Sequence, residues 1–401
     1  MKIIFDATVL SNADSKTTYR SGIFYTAYNL LFELKKLGHY IELYCNYTEY
    51  YKLKRLTEFK DFKIIPEYSL FNKITGLIFY FLGFFPAITQ PYIRILNRLF
   101  SYYLNVKSKR KQKYFENFDI YFSPFTPPSE EIKQSNIKQY RIIHDLIPII
   151  EGASLNNTFN IFRWYDKVYS SINSDNYYIA DSENTRQDIL KQFPFIEEKN
   201  IKTALLGANA NFYPSNDKSP IENKYIFSLC SLGKRKNLAF GIRCFFKFIE
   251  KNNISDIKLV LGGSIWNKYK KTLYNTLKQY DTTKVILTGY IDETELAKYY
   301  SNALCFIYPS LYEGFGLPVL EAMQCGCPVI TSNTSSLPEV IGDAGIQINP
   351  TSDKEMIAAY EKMYFDEEFR NNCIEKGLER ARQFSWEKCA KEILDFIQST
   401  L

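Results

Sequence analysis

The sequence is poor in the residues that bind metals. It contains two histidines, His39 and His144, and eight cysteines, among which no Cys-x-x-Cys pair occurs. Structural zinc requires four such ligands, so Cys325 and Cys327 lack the partners for a zinc site. No Asp-x-Asp motif is present either, which removes the carboxylate pair that would chelate a metal on a diphosphate. We therefore expect the protein to work without a metal or another cofactor.

Targeting signals and unusual composition are also absent. The opening residues MKIIFDATVL lack a small-residue cleavage site and are typical of a first β-strand rather than a signal peptide. Scattered, unpaired cysteines are typical of buried thiols in a reducing compartment, so we expect the protein in the cytosol. The sequence contains no repeats. Its composition, with 46% apolar and 23% charged residues, is that of a folded globular protein. The formal charge of +6 is small for this length, and we expect no nucleic-acid partner.

The chain is long enough for two domains, since 401 residues suit two units of about 200. In the first half, strand patterns at 2–8, 41–45, 119–124 and within 141–149 combine with a helical pattern at 23–37 and a strand-to-helix segment at 176–193, capped near Ser182. A second series begins near Lys224, after a polar boundary at 209–223. We predict an α/β fold with two doubly wound, Rossmann-like domains facing a cleft, at 1–215 and 216–382, and a final helix at 383–401.

Residues 74–93 form an uncharged stretch of twenty residues inside the first half. This matches the length of a membrane span, about 20 residues, but prolines and glycines interrupt it within an α/β domain. The basic run KSKRKQK at 107–113 follows closely. Apolar and basic residues side by side favour a segment in the membrane interface, as an insertion at about 70–113. Packing inside the protein and a true membrane span are the alternatives.

The stretch EGFGLPVLE at 313–321 places two glutamates around a glycine turn. The pattern predicts a strand that ends before Glu313 and a helix that starts near Pro318, because proline is tolerated in a first helical turn. Gly314 and Gly316 let the backbone approach a ligand, and the N–H groups of a helix start attract anions, which indicates a phosphate site. Glu321 can then accept ribose hydroxyls, while Glu313 faces the group beyond the phosphates. A plain turn with two solvated glutamates is the alternative.

A cationic turn, SLGKRKNL at 231–238, follows the first strand of the second series. Lys234, Arg235 and Lys236 would lie in the same cleft, where they can neutralise a diphosphate leaving group. A solvated basic turn before a helix is the alternative. Further along, Ser336 and Glu339 have the spacing of a capping box, and we expect them to cap the helix that follows.

The first half contributes two candidate residues to the opposite wall of the cleft. His144 follows a strand, where it can hydrogen-bond sugar hydroxyls or assist proton transfer, although a lone histidine is more often structural. Gly22 closes the loop after the first strand and allows close backbone approach to a ligand.

Together these segments resemble a known enzyme family. EGFGLPVLE, the following AMQCGCPVITS and SLPEVIGDAG resemble the retaining nucleotide-sugar glycosyltransferases of family four, which have the GT-B fold. The resemblance is continuous over about 225–345. Residues 384–397 are similar to the family's closing helix, which crosses back to the first domain. The first domain resembles the family more loosely, at FDAT, at residues 21–23, at HDL (144–146) and at DSENTRQDI (181–189).

The resemblance implies a role for each site residue. Residues 1–215 would bind the acceptor and residues 216–382 the nucleotide sugar. The implied contacts are Glu313 and His144 with the donor sugar, Glu321 with the ribose, Arg235 and Lys236 with the diphosphate, and the backbone of Gly314, Phe315, Gly316 and Leu317 with phosphate and sugar. Where many members have Gly-Arg, this chain has Cys230-Ser231, so Lys234 or Arg235 must replace the missing cation.

The sequence therefore predicts a retaining, metal-independent glycosyltransferase. Its first candidate donor is GDP-mannose, which would supply a mannosyl group to a glycan acceptor, lipid-linked, in bacterial surface polysaccharide synthesis. The basic and aromatic insertion predicts peripheral contact with an anionic membrane surface at the cytoplasmic face of the inner membrane. Two alternatives are a GT-B sugar-nucleotide epimerase and a non-enzymatic membrane-surface adaptor.

Overall fold

The computed structural model describes residues 1–12, 22–67, 112–150, 167–229, 233–263 and 267–401. Residues 74–93 and 107–111, on which the expected membrane contact depends, lie outside the described residues, and so does Cys230-Ser231. Among the helices of the described ranges, none has the combined length and hydropathy that a bilayer crossing requires.

The described residues of the first half form a sheet of seven parallel strands. Their bounds are β1 Lys2–Asp6, β2 Tyr40–Cys45, β3 Lys63–Pro66, β4 Ile120–Ser123, β5 Lys138–Ile143, β6 Tyr177–Ala180 and β7 Ile201–Thr203. The strand order is β3-β2-β1-β4-β5-β6-β7. In register, Phe5 lies between Leu43 and Phe122. The central strands are almost wholly buried because helices cover both faces of a doubly wound sheet.

Outside the gaps at 230–232 and 264–266, the second half forms a parallel sheet of six strands. Their bounds are β8 Lys224–Leu229, β9 Ile257–Gly262, β10 Val285–Gly289, β11 Cys305–Tyr308, β12 Val329–Ser332 and β13 Ile346–Ile348. The order is β10-β9-β8-β11-β12-β13. Phe227 of β8 pairs with Phe306 of β11 at the centre of the sheet.

Helices connect and cover the strands. In the first half they are α1 Gly22–Lys36, α2 Tyr47–Leu53, α3 Glu130–Lys133, α4 Ile147–Ile150 and α5 Glu183–Gln192. In the second they are α6 Leu238–Lys251, α7 Asn267–Leu277, α8 Glu293–Ser301, α9 Leu317–Gln324, α10 Leu337–Ile341, α11 Asp353–Phe365, α12 Glu367–Ala381 and α13 Trp386–Thr400. In α1, Phe24, Ala27, Leu31 and Leu34 repeat at helical spacing and are buried, so the predicted helix is confirmed.

The strand within 141–149 ends before His144, as predicted. It is β5, which ends at Ile143, and the short helix α4 begins at Ile147. Between them, the Asp145 carboxylate accepts a hydrogen bond from the backbone N–H of Ile147 at 2.9 Å. This local bond turns the chain, which apolar periodicity alone does not reveal.

Both sheets have a topological switch point, where the strand order reverses. In the first sheet it lies between β1 and β4, and in the second between β8 and β11. Ligands of doubly wound folds bind beyond the carboxyl ends of the strands at this point. The cationic turn follows β8 and the glycine turn follows β11, so both lie at the switch point. The predicted α/β class with two Rossmann-like sheets is confirmed.

The last helix returns to the first half, as expected. The Lys138 ammonium on β5 donates to the backbone carbonyls of Thr400, at 2.5 Å, and Leu401, at 2.8 Å. The ring of Phe396 packs edge-on against those of Tyr140 and Tyr177. Because β5 belongs to the first sheet, α13 ties the end of the second half to the first.

Candidate active site

The glycine turn after β11 carries a buried ion cluster. The Glu313 carboxylate is 7% exposed. Its Oε1 accepts hydrogen bonds from Lys236 Nζ and Ser310 Oγ, each at 2.6 Å. Its Oε2 lies 2.6 Å from Arg235 Nη1. The sequence motifs after β8 and β11 thus meet in one cluster, because their strands are neighbours in the sheet.

The charges of the cluster stabilise one another. Burial alone would raise the pKa of Glu313, but the Lys236 ammonium and the Arg235 guanidinium lower it to about 2. The carboxylate in turn raises the pKa of Arg235 against the effect of burial. By themselves these three side chains carry one net positive charge, and the Asp145 carboxyl of the first half also attracts Arg235. The excess of cations within the cluster favours the binding of an anion.

Hydrogen bonds from two serines hold the glycine turn. The backbone N–H of Glu313 donates to Ser335 Oγ at 3.0 Å. Ser336 Oγ donates to the carbonyls of Glu313, at 3.0 Å, and Phe315, at 2.8 Å. Gly316 has φ +113°, a conformation that favours glycine. The expected capping box is wrong, because Ser336 makes no side-chain cap to α10 and bonds this turn instead.

Gly314 brings the turn against the first half of the chain. Its carbonyl accepts hydrogen bonds from Ser182 Oγ at 2.6 Å and Thr185 Oγ1 at 3.2 Å. A Cβ at position 314 would lie 2.0 Å from the carbonyl oxygen of His144. Only a glycine permits this approach, so its role in the structure is contact between the two halves.

Other candidate residues surround this turn. Glu321 lies in α9, where its Oε2 accepts a hydrogen bond from the Tyr300 hydroxyl at 3.1 Å. Burial raises the pKa of Glu321 to about 7. Across the cleft, a Cβ at Gly22 would meet Leu317 Cδ1 at 3.2 Å. Lys234 is exposed and lies next to the cluster in sequence.

His144 is bonded on both sides of its ring. Nδ1 lies 3.1 Å from Asp181 Oδ2, and Nε2 lies 2.9 Å from the Pro124 carbonyl oxygen. Burial opposes protonation, but the hydrogen bond to Asp181 raises the pKa of His144. Both bonds are satisfied when both nitrogens carry protons. The ring is thus held within the first half, and its contact with a donor sugar stays a prediction.

Several residues of the site have no signal in local sequence. The Glu293 carboxylate in the second half accepts hydrogen bonds from Tyr25 of α1 and from Asn209, each at 2.7 Å. The Tyr308 hydroxyl contacts the Lys236 ammonium, which also lies 4.7 Å from the tyrosine ring centroid. These contacts join residues far apart in the chain, so no local sequence pattern predicts them.

No group of three histidine, cysteine or acidic side chains could hold a metal ion within the ranges that the structure describes. Metal-independent chemistry remains a prediction. The seven described cysteines are buried and unbridged. Burial raises the pKa of Cys305 and Cys327, so neither thiol is poised as a nucleophile.

Comparison with known proteins identifies relatives of both sequence and fold. Residues 194–380 match the family described as glycosyl transferases group 1. The O-antigen chain mannosyltransferase B of Escherichia coli is 29% identical over 245 residues, which cover 58% of this chain and 63% of that protein. This chain thus matches less than two thirds of the length of that relative.

Two solved structures have a similar fold. Sucrose-phosphate synthase from Thermosynechococcus elongatus superposes with a TM-score of 0.69 at 17% identity, covering 100% of this chain and 99% of that one. Anabaena HepE in complex with UDP-glucose has a TM-score of 0.66 at 13% identity, with 100% of both chains covered. The matched residues 194–380 contain the ion cluster and the glycine turn. Residues 194–380 of the chain are therefore similar to the glycosyl transferases group 1 family.

Proposed function

We propose that this protein is a retaining glycosyltransferase that moves a hexosyl group from a nucleotide sugar to a hydroxyl of a glycan acceptor. The observation that carries the proposal is the buried cluster of Arg235, Glu313 and Lys236 at the switch point of the second sheet. Its net positive charge lies beside the start of α9, whose N-cap Gly316 provides no side-chain cap. Cations and helix N–H groups together favour a diphosphate.

The placement of the donor follows from the order of these groups. The diphosphate would lie between the α9 start and the two cations. Glu321, one turn further along α9, would accept the ribose hydroxyls. Glu313 would then exchange one of its present cations for hydroxyls of the sugar, while the cations turn to the phosphates. Backbone groups of residues 314–317 would complete the binding of phosphate and sugar.

The cations would supply most of the chemistry. Arg235 and Lys236 stabilise the negative charge that develops on the diphosphate as the bond from the anomeric carbon to oxygen breaks. In a retaining transfer, the acceptor hydroxyl attacks from the side of the leaving group, and a phosphate oxygen takes its proton. His144 would contact the donor sugar from the first half after exchanging one of its two ring partners. No metal is required in this scheme.

We take mannose from GDP-mannose as the first donor to test. The similarity to a protein named as an O-antigen chain mannosyltransferase supports mannose, whereas the fold neighbour holding UDP-glucose makes uridine sugars the second choice. For the acceptor we propose a lipid-linked glycan at the cytoplasmic face of a bacterial inner membrane. The apolar stretch 74–93 and the basic run 107–113 support this acceptor through their sequence alone.

The test begins with a thermal-shift screen of sugar nucleotides, followed by product analysis with the donor that stabilises the protein. Glu313→Gln and Lys236→Ala should each lower turnover by about 100-fold or more. The control Glu355→Gln, on α11 away from the cluster, should keep turnover. Full activity in either cluster variant would refute the site, and conversion of the donor without an acceptor would indicate an epimerase.

Membrane contact has its own experiment. Replacing the lysines and arginines of 107–113 by serine should reduce co-sedimentation with vesicles that contain anionic lipid, because these charges would be attracted to the headgroups. Vesicles of neutral lipid serve as the control. Unchanged sedimentation with anionic vesicles would argue against an acceptor at the membrane surface.

A further inference from the structure

Glu339 of α10 makes its side-chain contacts across the cleft. One carboxylate oxygen accepts the backbone N–H of Glu183 and the other accepts that of Asn184, each at 2.7 Å. These are the first two residues of α5, in the other half of the chain. Ser182 Oγ accepts the next N–H, of Thr185, at 3.0 Å. A carboxylate from the second half thus satisfies two of the N–H groups that a helix start leaves unpaired.

The same helix start contacts the glycine turn. The hydroxyls of Ser182 and Thr185 donate to the Gly314 carbonyl. On the second-half side, Ser336 holds the carbonyls of Glu313 and Phe315. The α5 start, the glycine turn and the α10 start therefore form one junction, and the residue that carries the reactive carboxylate lies inside it.

Backbone contacts anchor α10 in its own half. The Arg380 guanidinium of α12 donates to the carbonyls of Glu339, at 2.5 Å, and Val340, at 3.1 Å. These bonds use the main chain, so the Glu339 carboxylate remains available to α5. Beside it, the Tyr312 hydroxyl donates to Asp188 of α5 at 2.5 Å. The second half therefore presents an acceptor, Glu339, and a donor, Tyr312, to helix α5 of the first half.

We infer that Glu339 is a positioning residue: by capping α5 across the cleft, it sets the turn that carries Glu313, so the turn reaches its reactive arrangement only when the two halves are closed. The inference rests on the proposed function and concerns the assembly of the same site. A carboxylate at a helix start is favoured by the helix dipole as well as by its hydrogen bonds. When the halves open, the Glu339 carboxylate and the N–H groups at the start of α5 bond to water instead, so the contact is reversible.

The experiment compares variants on both sides of this contact. Glu339→Gln loses the charge and one acceptor. Glu183→Pro removes one donor N–H at the first helical position, where proline is tolerated; the preceding Ser182 already has the extended backbone that a following proline requires. Glu183→Ala is its matched control, because it loses the same side chain and keeps the N–H. Asp343→Asn, which breaks an exposed pair with Lys376, is the control for Glu339.

We expect kcat to fall about 10- to 100-fold in Glu339→Gln and in Glu183→Pro, since small displacements of a reacting group have effects of this size. The Kd of GDP and of UDP, measured by calorimetry, should change by less than about threefold, because the second half alone supplies the nucleotide contacts. Both variants should show a larger radius of gyration by X-ray scattering. The double variant should be no worse than either single one, and both controls should match the unmodified protein.

Three results would overturn the inference. The first is unchanged kcat with an unchanged radius of gyration in Glu339→Gln. The second is a loss of nucleotide affinity as large as the loss of kcat, which would assign Glu339 to donor binding. The third is a multiplicative loss in the double variant. If circular dichroism shows that Glu339→Gln does not fold, Glu183→Pro with its alanine control decides the question. Scattering needs no turnover, so it tests the contact even if no sugar donor is found.

Discussion

Lys236 and Glu313 form a buried ion pair in which Nζ lies 2.6 Å from Oε1 and both side chains are about one-tenth exposed. The pair joins the turn after β8 to the turn after β11. A buried pair is costly to break, because the remaining charge keeps its desolvation penalty. The pair therefore links stability of the second half to the chemistry of its site.

Removing the lysine should affect stability and activity together. Lys236→Ala leaves Glu313 buried with Arg235 as its one remaining cation, and we expect the free energy of unfolding to fall by about 2–4 kcal/mol. Urea denaturation measures this change. The control is Lys247→Ala, whose partner Asp353 is at the surface, and it should lower the free energy of unfolding much less than Lys236→Ala does. Equal losses in the two variants would show that burial does not strengthen the pair.

Glu321 should limit stability at alkaline pH. Burial raises its pKa to about 7 from the ordinary 4.5. Below pH 4.5 the carboxyl is protonated in both the folded and the unfolded state, so it does not change the free energy of unfolding. As the pH rises to about 7, the unfolded state loses this proton first, and the free energy of unfolding falls. Glu321→Gln should thus raise the free energy of unfolding by about 1–2 kcal/mol at pH 8 and leave it unchanged at pH 4. Urea titrations at both pH values measure the difference, and a gain that does not depend on pH would contradict the assignment. The same variant should raise the donor KM.

The contact of Gly314 with the first half should tolerate no side chain. Because a Cβ there would lie 2.0 Å from the His144 carbonyl oxygen, Gly314→Ala should prevent closure and lower kcat by about 100-fold. Gly377→Ala, within α12, is the control, since the atoms nearest to its Cβ would be those of Met323 in α9, at 3.5 Å or more. This control should keep activity and gain up to about 1 kcal/mol from helix propensity. Active Gly314→Ala would show that the reaction occurs with the halves apart.

Tyr25 should stabilise closure from the other side of the cleft. Its hydroxyl donates to Glu293 at 2.7 Å, and Tyr25→Phe removes this bond at a cost of about 1 kcal/mol to the closed arrangement. We expect a rise in the radius of gyration and a severalfold loss of kcat/KM. Asn209→Ala, which removes the other donor to Glu293, should act in the same direction. An unchanged radius in both variants would argue that Glu293 does not hold the halves together.

Local patterns were enough to predict the elements that build the site. Apolar runs and a proline predicted a strand and a helix around EGFGLPVLE, and the structure has β11 at Cys305–Tyr308 and α9 at Leu317–Gln324. These elements follow from periodicity and turn chemistry within a few residues. The short helix α4 was not predicted, because the Asp145 bond to the N–H of Ile147 at its start is not visible in apolar periodicity.

The capping-box prediction is wrong even though the spacing of its two residues is correct. Ser336 and Glu339 have the correct spacing, yet Ser336 bonds the glycine turn and Glu339 bonds the start of α5. Both side chains find their hydrogen-bond partners outside α10. Spacing along the chain does not reveal such competitors, so a local rule selected the wrong partner.

By itself, the sequence determined two α/β series, a glycine turn between two glutamates and a cationic turn after a strand. Only the tertiary structure decided that Glu313 pairs with Lys236, 77 residues away, that the His144 ring is bonded to Asp181, and that Glu339 caps a helix 155 residues earlier in the chain. The physical reason is the reach of each interaction. Periodicity and turns arise between neighbours in sequence, whereas these contacts form only where strand order and packing of the two halves bring distant side chains together.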